Sequence, residues 1–169
     1  MIQVKLPDGA VRQYAPGTTV EDVAASISAG LKKNAVAGKV NGKVVDLYTP
    51  LQEDAEVEIV TLDSPEGLEV YRHSTAHLMA QAIKRLYGQT RVKLGIGPVI
   101  EDGFYYDIDL DEPLHPEDLE KIEQEMQKII QEDLPIRRRV VSREEAVEIY
   151  TRLGDPLKLE LIRDLPEDA

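Results

Sequence analysis

Alternating apolar and polar residues fill much of the first sixty positions of the chain. The segment IQVKL places Ile2, Val4 and Leu6 on one face, and VRQY repeats an extended pattern after the turn residues PDG. NAVAGKV and KVVDL flank Asn41 and Gly42, a pair that favours a two-residue hairpin turn. AEVEIVTL closes the series. These patterns predict short strands, joined in hairpins, that bury one face.

A helical period interrupts these strands. Thr18 and Glu21 form a capping-box pattern, in which each side chain bonds the backbone N–H of the other, just after Pro16 and Gly17 end the preceding strand. The apolar stripe that follows consists of Val20, Val23, Ala24 and Ile27. Two strands, a helix and further strands in this order predict a ubiquitin-like β-grasp domain over residues 1–63.

The turn residues DSPEG, at positions 63–67, mark the predicted boundary, and residues 64–169 form the second predicted domain. The run EVYRHSTAHLMAQAIKRLY predicts a helix that ends near Gly88. RVKLGIGPVIEDGFYYDIDL predicts two strands around a glycine-rich turn, which matches no phosphate-binding glycine motif. The overall fold class is therefore α+β.

Two more helices and one strand complete this second domain. HPEDLEKIEQEMQKIIQED predicts a helix that begins at Pro116, and PIRRRVV predicts a strand. Ser142 and Glu145 give the cap pattern of a third helix, predicted to run through Tyr150. The apolar face of the first of these helices comprises Leu119, Ile122, Met126 and Ile129.

His73 and His77, two of the three histidines, are four positions apart on the first helix of the second domain. With about 100° of rotation per residue, they point away from the stripe of Tyr71, Thr75, Leu78, Ala82 and Leu86. Small neighbours (Ser74, Ala76 and Ala80) predict room for a ligand beside them. The geometry leaves three interpretations open: a solvated polar face, a metal-ligand pair, or a catalytic or substrate-binding pair.

Other residues carry weaker signals. A zinc site would need a third ligand such as His115 or a carboxylate, and the glutamate of HExxH is absent. Arg137, Arg138 and Arg139 form a basic cluster that either pairs with local acids or contacts phosphate. The aromatic residues of GFYYDIDL are predicted to pack in the core. Lys158, in DPLKLELI, is either a solvated lysine or a contact for a phosphate or hydroxyl.

Composition and charge narrow the class of protein. The chain has 169 residues, no cysteine and a net charge of −12, with −3 on residues 1–63 (6 basic, 9 acidic) and −9 on the rest (14 basic, 23 acidic). This balance argues against a general nucleic-acid binder, so contacts with RNA are expected to be local. The N-terminal residues MIQVKLPDGA lack a signal-peptide pattern, and no apolar run is long enough to span a bilayer. We expect a cytoplasmic protein.

A family resemblance adds to these observations. HSTAHLMAQAIKRLYG, followed by KLGIGPVIEDGFYYDIDL, resembles the start of the editing domain of threonyl-tRNA synthetases. The first sixty residues resemble the TGS domain, which precedes that domain in the family and also occurs in some GTPases and alarmone enzymes. The resemblance implies a ligase that attaches threonine to its tRNA and hydrolyses serine attached by mistake. By the same resemblance, His73, His77 and Lys158 match catalytic positions of the editing cleft.

The resemblance also implies parts that the 169 residues do not contain. The family's editing domain continues with a cysteine- and histidine-bearing motif, and its catalytic core holds ATP, magnesium and zinc. We therefore expect an N-terminal fragment with no cofactor or metal of its own, no aminoacylation activity, and weak or absent editing. The expected partners are threonine tRNA and the 3′ end of seryl-tRNA, with the full-length enzyme a homodimer and no membrane involved. The alternatives are a non-catalytic TGS module that binds tRNA or protein, and a metal-dependent hydrolase.

Overall fold

The structure is a computed structural model that describes residues 1–89, 91–95 and 97–166. The chain divides into two compact units, Met1–Arg72 (unit 1) and His73–Ala169 (unit 2). Each unit contains helices and strands, which confirms the predicted α+β class. The predicted domain boundary between residues 63 and 64 stays a prediction, since it lies at the end of the last strand of unit 1, ahead of the division between the units.

Unit 1 is organised around one five-stranded sheet. Its elements are β1 (Ile2–Lys5), β2 (Val11–Tyr14), β3 (Thr18–Thr19), α1 (Val20–Ile27), α2 (Ala29–Asn34), β4 (Ala35–Val40), β5 (Lys43–Val45), β6 (Pro50–Leu51) and β7 (Ala55–Thr61). The strand order in the sheet is β2-β1-β7-β4-β5, with β1 parallel to β7 and the other pairs antiparallel. The short strands β3 and β6 form a separate ladder. This order confirms the predicted β-grasp arrangement.

The core of unit 1 follows the predicted apolar pattern. Ile2, Val4 and Leu6 are buried, as their alternation along β1 predicts. Val23 of α1 packs in the same cluster, so the predicted stripe of this helix faces the sheet. Asn41 and Gly42 both have positive φ, 50° and 83°, which is the backbone of the predicted two-residue hairpin turn between β4 and β5.

The predicted start of α1 is wrong by one residue. The capping box joins Thr19 and Asp22, because Asp22 N donates to Thr19 Oγ1 at 3.1 Å and Thr19 N donates to Asp22 Oδ2 at 3.0 Å. Thr18 pairs with Leu51 in the β3–β6 ladder, so its backbone is not available as a helix cap. Glu21 is therefore not the capping acid, and the helix begins at Val20.

Within the described residues, unit 2 contains four short strands, three whole helices and most of the helix α3. Its elements are α3 (Pro65–Tyr87), which begins in unit 1, β8 (Lys93–Leu94), β9 (Val99–Ile100), β10 (Gly103–Phe104), β11 (Ile108–Asp109), α4 (Pro116–Glu132), α5 (Arg143–Leu153) and α6 (Pro156–Arg163). β8 pairs with β11 and β9 with β10, so four two-residue strands replace the two predicted ones. The buried core comprises Ala80, Ala82, Ile83, Val92, Leu94, Ile122 and Ile129.

Several predictions for unit 2 are corrected by the structure. PIRRRVV is not a strand: it has no regular structure, residues 131–140 are exposed, and no strand in the described ranges pairs with it. Leu119 is exposed, although Ile122 and Ile129 of the same predicted face are buried. The cap at Ser142 is confirmed, since its Oγ accepts from Glu145 N at 3.2 Å, and α5 continues past Tyr150 to Leu153.

Candidate functional site

Both histidines lie on α3 with exposed side chains, as predicted. The stripe predicted to be buried is only partly so, because Tyr71 is 55% and Leu86 38% exposed. The buried residues of the helix in unit 2 are Ala76, Ala80, Ala82 and Ile83. The predicted room beside the histidines is therefore wrong at positions 76 and 80, where protein atoms already cover the alanines. Of the three small neighbours, Ser74 is the exposed one.

The two imidazole rings contact each other directly. The Nε2 atoms of His73 and His77 are 3.0 Å apart, and the ring centroids are 4.7 Å apart with an angle of 77° between the ring planes. Residues four positions apart are neighbours on a helix surface, which explains the contact. A hydrogen bond between two Nε2 atoms needs a proton on one and a free lone pair on the other. The pair is thus a combined donor and acceptor.

The pKa of His77 is lowered from its ordinary value of 6.5. Burial is the largest cause, followed by the charges of His73 and Lys158. The side chain still reaches solvent, but the protein atoms around the ring remove part of its hydration and so disfavour the imidazolium form. The lowered pKa favours neutral His77 at pH 7, in the form that can accept a proton or a hydrogen bond.

Lys158 is held in the first turn of α6 by the local sequence. Asp155 is the N-cap, with its Oδ1 accepting from Lys158 N at 3.1 Å, and Pro156 follows at the start of the helix. The side chain of Lys158 extends to the glycine-rich segment, where its Nζ donates to Gly95 O at 3.1 Å. The structure thus brings the third predicted residue close enough for its charge to act on His77.

The glycine-rich segment approaches an aromatic side chain closely. A Cβ atom on Gly97 would lie 2.6 Å from Cδ2 of Tyr106, so the backbone there passes against the face of the ring. Tyr106 packs against the core of unit 2, which confirms the packing interpretation for this aromatic residue, whereas Tyr105 is 67% exposed. Burial, then the charges of Asp155 and Tyr150, raise the pKa of Tyr106.

Sequence reasoning missed a buried ion pair next to this site. Asp155 is 2% exposed, and its Oδ2 lies 3.9 Å from Lys84 Nζ. This oxygen accepts no hydrogen bond from any described residue. Lys84 follows His77 by seven residues, which is close to two turns of α3. The only local signal for Asp155 was an acid directly before Pro156, the usual start of a helix.

The remaining candidates lie apart from the pair. His115 is the N-cap residue of α4, and its backbone N donates to Asp118 Oδ2 at 2.9 Å. Arg139 pairs with Glu145, which fits the interpretation of the arginine cluster as a partner for local acids. Within the part of the chain that the structure describes, no three histidine or carboxylate side chains are grouped as metal ligands. No described helix is both long and apolar enough to cross a membrane.

Comparison with known proteins gives one family and several relatives. Residues 2–61 match the TGS domain family. The chain is 64% identical over 167 residues to a threonine–tRNA ligase of Geobacillus sp. (strain WCH70), covering 99% of the chain and 26% of the relative. A threonine–tRNA ligase of Geobacillus kaustophilus (strain HTA426) is also 64% identical, with 99% and 25% covered. Threonine–tRNA ligase 1 of Bacillus subtilis (strain 168) is 59% identical, with 99% and 26% covered. The chain thus spans about a quarter of the length of these relatives.

Proposed function

Since the chain is homologous along nearly its whole length to the N-terminal region of bacterial threonine–tRNA ligases, we propose that it removes mischarged serine within such a ligase. The complete protein would attach threonine to threonine tRNA. His73, His77 and Lys158 would act in hydrolysing the ester between serine and the 3′-terminal ribose. ATP, magnesium and zinc would belong to the aminoacylation core, outside these 169 residues.

One observation carries this proposal: a hydrogen-bonded histidine pair lies where the ammonium charge of Lys158 acts on it. The Nε2–Nε2 distance is 3.0 Å, and Lys158 contributes to the lowered pKa of His77. Ester hydrolysis needs a group that can hold or accept a proton and a positive charge near the developing oxyanion. The site supplies both, on the exposed side of α3 where a substrate can enter.

The chemistry of the two amino acids explains why a ligase needs this activity. Serine lacks only the methyl group of threonine, and a binding pocket gains about 1–3 kcal/mol from such a group. A synthetic site that accepts threonine cannot exclude the smaller serine sufficiently by that difference alone. A second, hydrolytic site can select again, so an editing site elsewhere in the same enzyme restores accuracy.

In the proposed mechanism each of the three residues has its own role. His73 orients the terminal ribose 2′-hydroxyl and the attacking water, with the hydroxyl replacing His77 as partner of His73 Nε2. Water oxygen then bonds to the ester carbonyl carbon, the bond to the ribose oxygen breaks, and that oxygen takes up the proton from water. Neutral His77 polarises the pocket as an acceptor, and Lys158 positions the substrate and stabilises the negative charge on the carbonyl oxygen.

The net charge of the chain affects how tightly it can bind tRNA. At a net charge of −12, the 169 residues repel the tRNA backbone, so their own affinity for tRNA is expected to be weak at physiological salt. The rest of the ligase would bring the 3′ end of the tRNA to the site. A tight, salt-resistant complex between the isolated chain and tRNA would contradict this part of the proposal.

Replacing His73 with alanine tests the proposal. The variant is made in the full-length protein that carries these residues, and hydrolysis of seryl-tRNA is measured with enzyme in excess. We expect the rate to fall by about a hundredfold, because the group that orients the hydroxyl and water is lost. His115→Ala, at the N-cap of α4, is the matched control and should keep the rate of the unmodified enzyme.

Two outcomes would replace the proposal by its alternatives. An undiminished rate in His73→Ala would leave a non-catalytic binding module as the function of the chain, with the TGS domain as its adaptor. A rate that disappears after treatment with a chelator and returns with added zinc would indicate a metal-dependent hydrolase. The expected result is a chelator-insensitive rate that depends on His73.

A further inference from the structure

The two helices that carry the candidate site are connected by one buried ion pair. Lys84, on the histidine helix α3, places its Nζ 3.9 Å from Oδ2 of Asp155, the N-cap residue of the lysine helix α6. The side chains are 15% and 3% exposed, whereas the ion pair of Lys5 with Glu56 has side chains 58% and 72% exposed. Asp155 is therefore buried within unit 2, and Lys84 reaches it from a largely covered position.

Asp155 uses its two carboxylate oxygens for two different elements. Oδ1 accepts from Lys158 N at 3.1 Å and fixes the first turn of α6. Oδ2 faces Lys84 and accepts no hydrogen bond from the described residues. Its own backbone N donates to Tyr150 O at 3.1 Å, which fastens the residue to the end of α5. The side chain of Asp155 thus caps the first turn of α6, which carries Lys158. The same side chain faces α3, the helix of His73 and His77.

A buried carboxylate with an oxygen lacking a hydrogen bond is costly, and an opposite charge is what makes it tolerable. A simple helix cap would not need this arrangement, because asparagine caps helices about as well as aspartate and carries no charge to compensate. Capping alone therefore does not account for a charged residue at position 155. Lys84 satisfies that charge, and the ammonium group of Lys158 binds Gly95 O and stays out of the pair.

We propose that Lys84 and Asp155 are positioning residues that set Lys158 relative to the histidine pair and keep its charge available to the substrate. The inference rests on the proposed editing function, in which Lys158 stabilises the carbonyl oxygen. Without the charge on Asp155, α6 keeps its cap but loses its attraction to Lys84 on α3. Without Lys84, the buried carboxylate attracts the ammonium group of Lys158 away from the substrate.

A double-mutant cycle separates positioning from simple stability. Asp155→Asn, Lys84→Met and the double variant are made in the full-length protein, and thermal unfolding and seryl-tRNA hydrolysis are measured for each. Lys84→Met should have the lowest melting temperature, because it leaves a buried charge without its partner. The double variant, which has neither charge, should recover most of that loss. Hydrolysis should nevertheless fall about tenfold or more in all three, in kcat and not in KM.

Controls make the result specific. Lys84→Arg keeps the positive charge and should therefore retain most of the hydrolysis rate that Lys84→Met loses. Arg85→Met removes the ion pairs of Arg85 with Glu132 and Glu125, 2.6 and 3.8 Å long, which join α3 to α4, and it should leave hydrolysis unchanged. If the double variant regains the hydrolysis rate together with its stability, the pair is purely structural and the inference is overturned.

The cycle also distinguishes failure of the inference from failure of the proposed function. If His73→Ala abolishes hydrolysis while Asp155→Asn and the double variant keep the unmodified rate, the inference alone is overturned. If His73→Ala keeps the unmodified rate, the editing function and the inference fall together. A loss of hydrolysis in both His73→Ala and a stably folded Asp155→Asn supports the two.

Discussion

The two units differ in where they place their charges. In unit 1 the ion pairs of Lys5 with Glu56 and of Lys39 with Glu66 lie on partly or fully exposed side chains, and the core is apolar. In unit 2 the carboxylate of Asp155 is buried, and its partner Lys84 is largely covered, with a side chain 15% exposed. A buried charge destabilises a fold unless it is compensated. The difference places the less exposed charges in unit 2, the unit that carries the candidate site.

The cores of the units differ as well. Unit 1 buries one face of a five-stranded sheet against α1, so its packing depends on strands far apart in sequence. Unit 2 has ladders of only two residues, and its core relies on side chains from α3 and α4 together with the segment around β8. Small ladders contribute few backbone hydrogen bonds, so side-chain packing from the helices must carry most of the stability of unit 2.

Truncating Ile83 should give the largest effect and tests whether the units unfold separately. Ile83 is fully buried in α3, so Ile83→Ala should lower the free energy of unfolding of unit 2 by about 2–5 kcal/mol. Hydrogen exchange should then accelerate at amides of α4 and α5, while the amides of β1 and β7 keep their protection. Equal acceleration in both units would show a single cooperative fold and remove the basis of the comparison.

Adding a side chain at a closely packed glycine tests the packing of unit 1. Gly38 lies on β4 where α1 crosses it, and an added Cβ would be 2.4 Å from Cγ1 of Val20. Gly38→Ala should therefore destabilise unit 1 by about 1–3 kcal/mol through overpacking. Val20→Ala in the same chain should recover part of the loss, since it removes the clashing methyl groups. Urea unfolding of the two variants measures this, and an unaltered midpoint in Gly38→Ala would contradict the close packing.

The sequence predicts unit 1 better than unit 2, because the two units differ in how their cores are built. In unit 1, alternation along β1, the hairpin at Asn41 and Gly42, and the stripe of α1 are confirmed, because a sheet with one buried face leaves a period of two in the sequence. The helix cap was misplaced by one residue, since the pairing of Thr18 with Leu51 is a long-range contact that no local pattern contains. β3 and β6 were missed for the same reason, since among the described strands they pair only with each other, and the short helix α2 was missed as well.

In unit 2 the local patterns were less reliable. Two-residue strands are too short to show alternation, and PIRRRVV alternates without pairing to any strand in the described residues. The buried face of α3 consists largely of alanines, whose small side chains count little in a hydrophobic pattern beside Tyr71 and Leu86. That is why the predicted stripe was rotated away from the buried one.

The site itself was only partly predictable. The exposure of the histidine pair followed from the helix period, and family resemblance supplied the matching position of Lys158. Homology to threonine–tRNA ligases confirms that resemblance, while the catalytic roles stay predictions. Lys84 and Asp155 are far apart in sequence, and only tertiary packing brings them together.

The pH dependence of stability between pH 7.5 and 5.5 gives the smallest expected effect, and it should arise in unit 2, because all three histidines lie there. The pKa of folded His77 is below 6.5, so as the pH falls below that value the unfolded chain binds the proton first and the free energy of unfolding decreases. Well above pH 6.5, His77 is neutral in both the folded and the unfolded state, and its contribution to the free energy of unfolding stays constant. Urea unfolding at pH 7.5 and 5.5 should therefore show a loss of stability that is smaller in His77→Gln than in the unmodified chain. An equal loss in His77→Gln and the unmodified chain would show that the environment of His77 does not favour its neutral form.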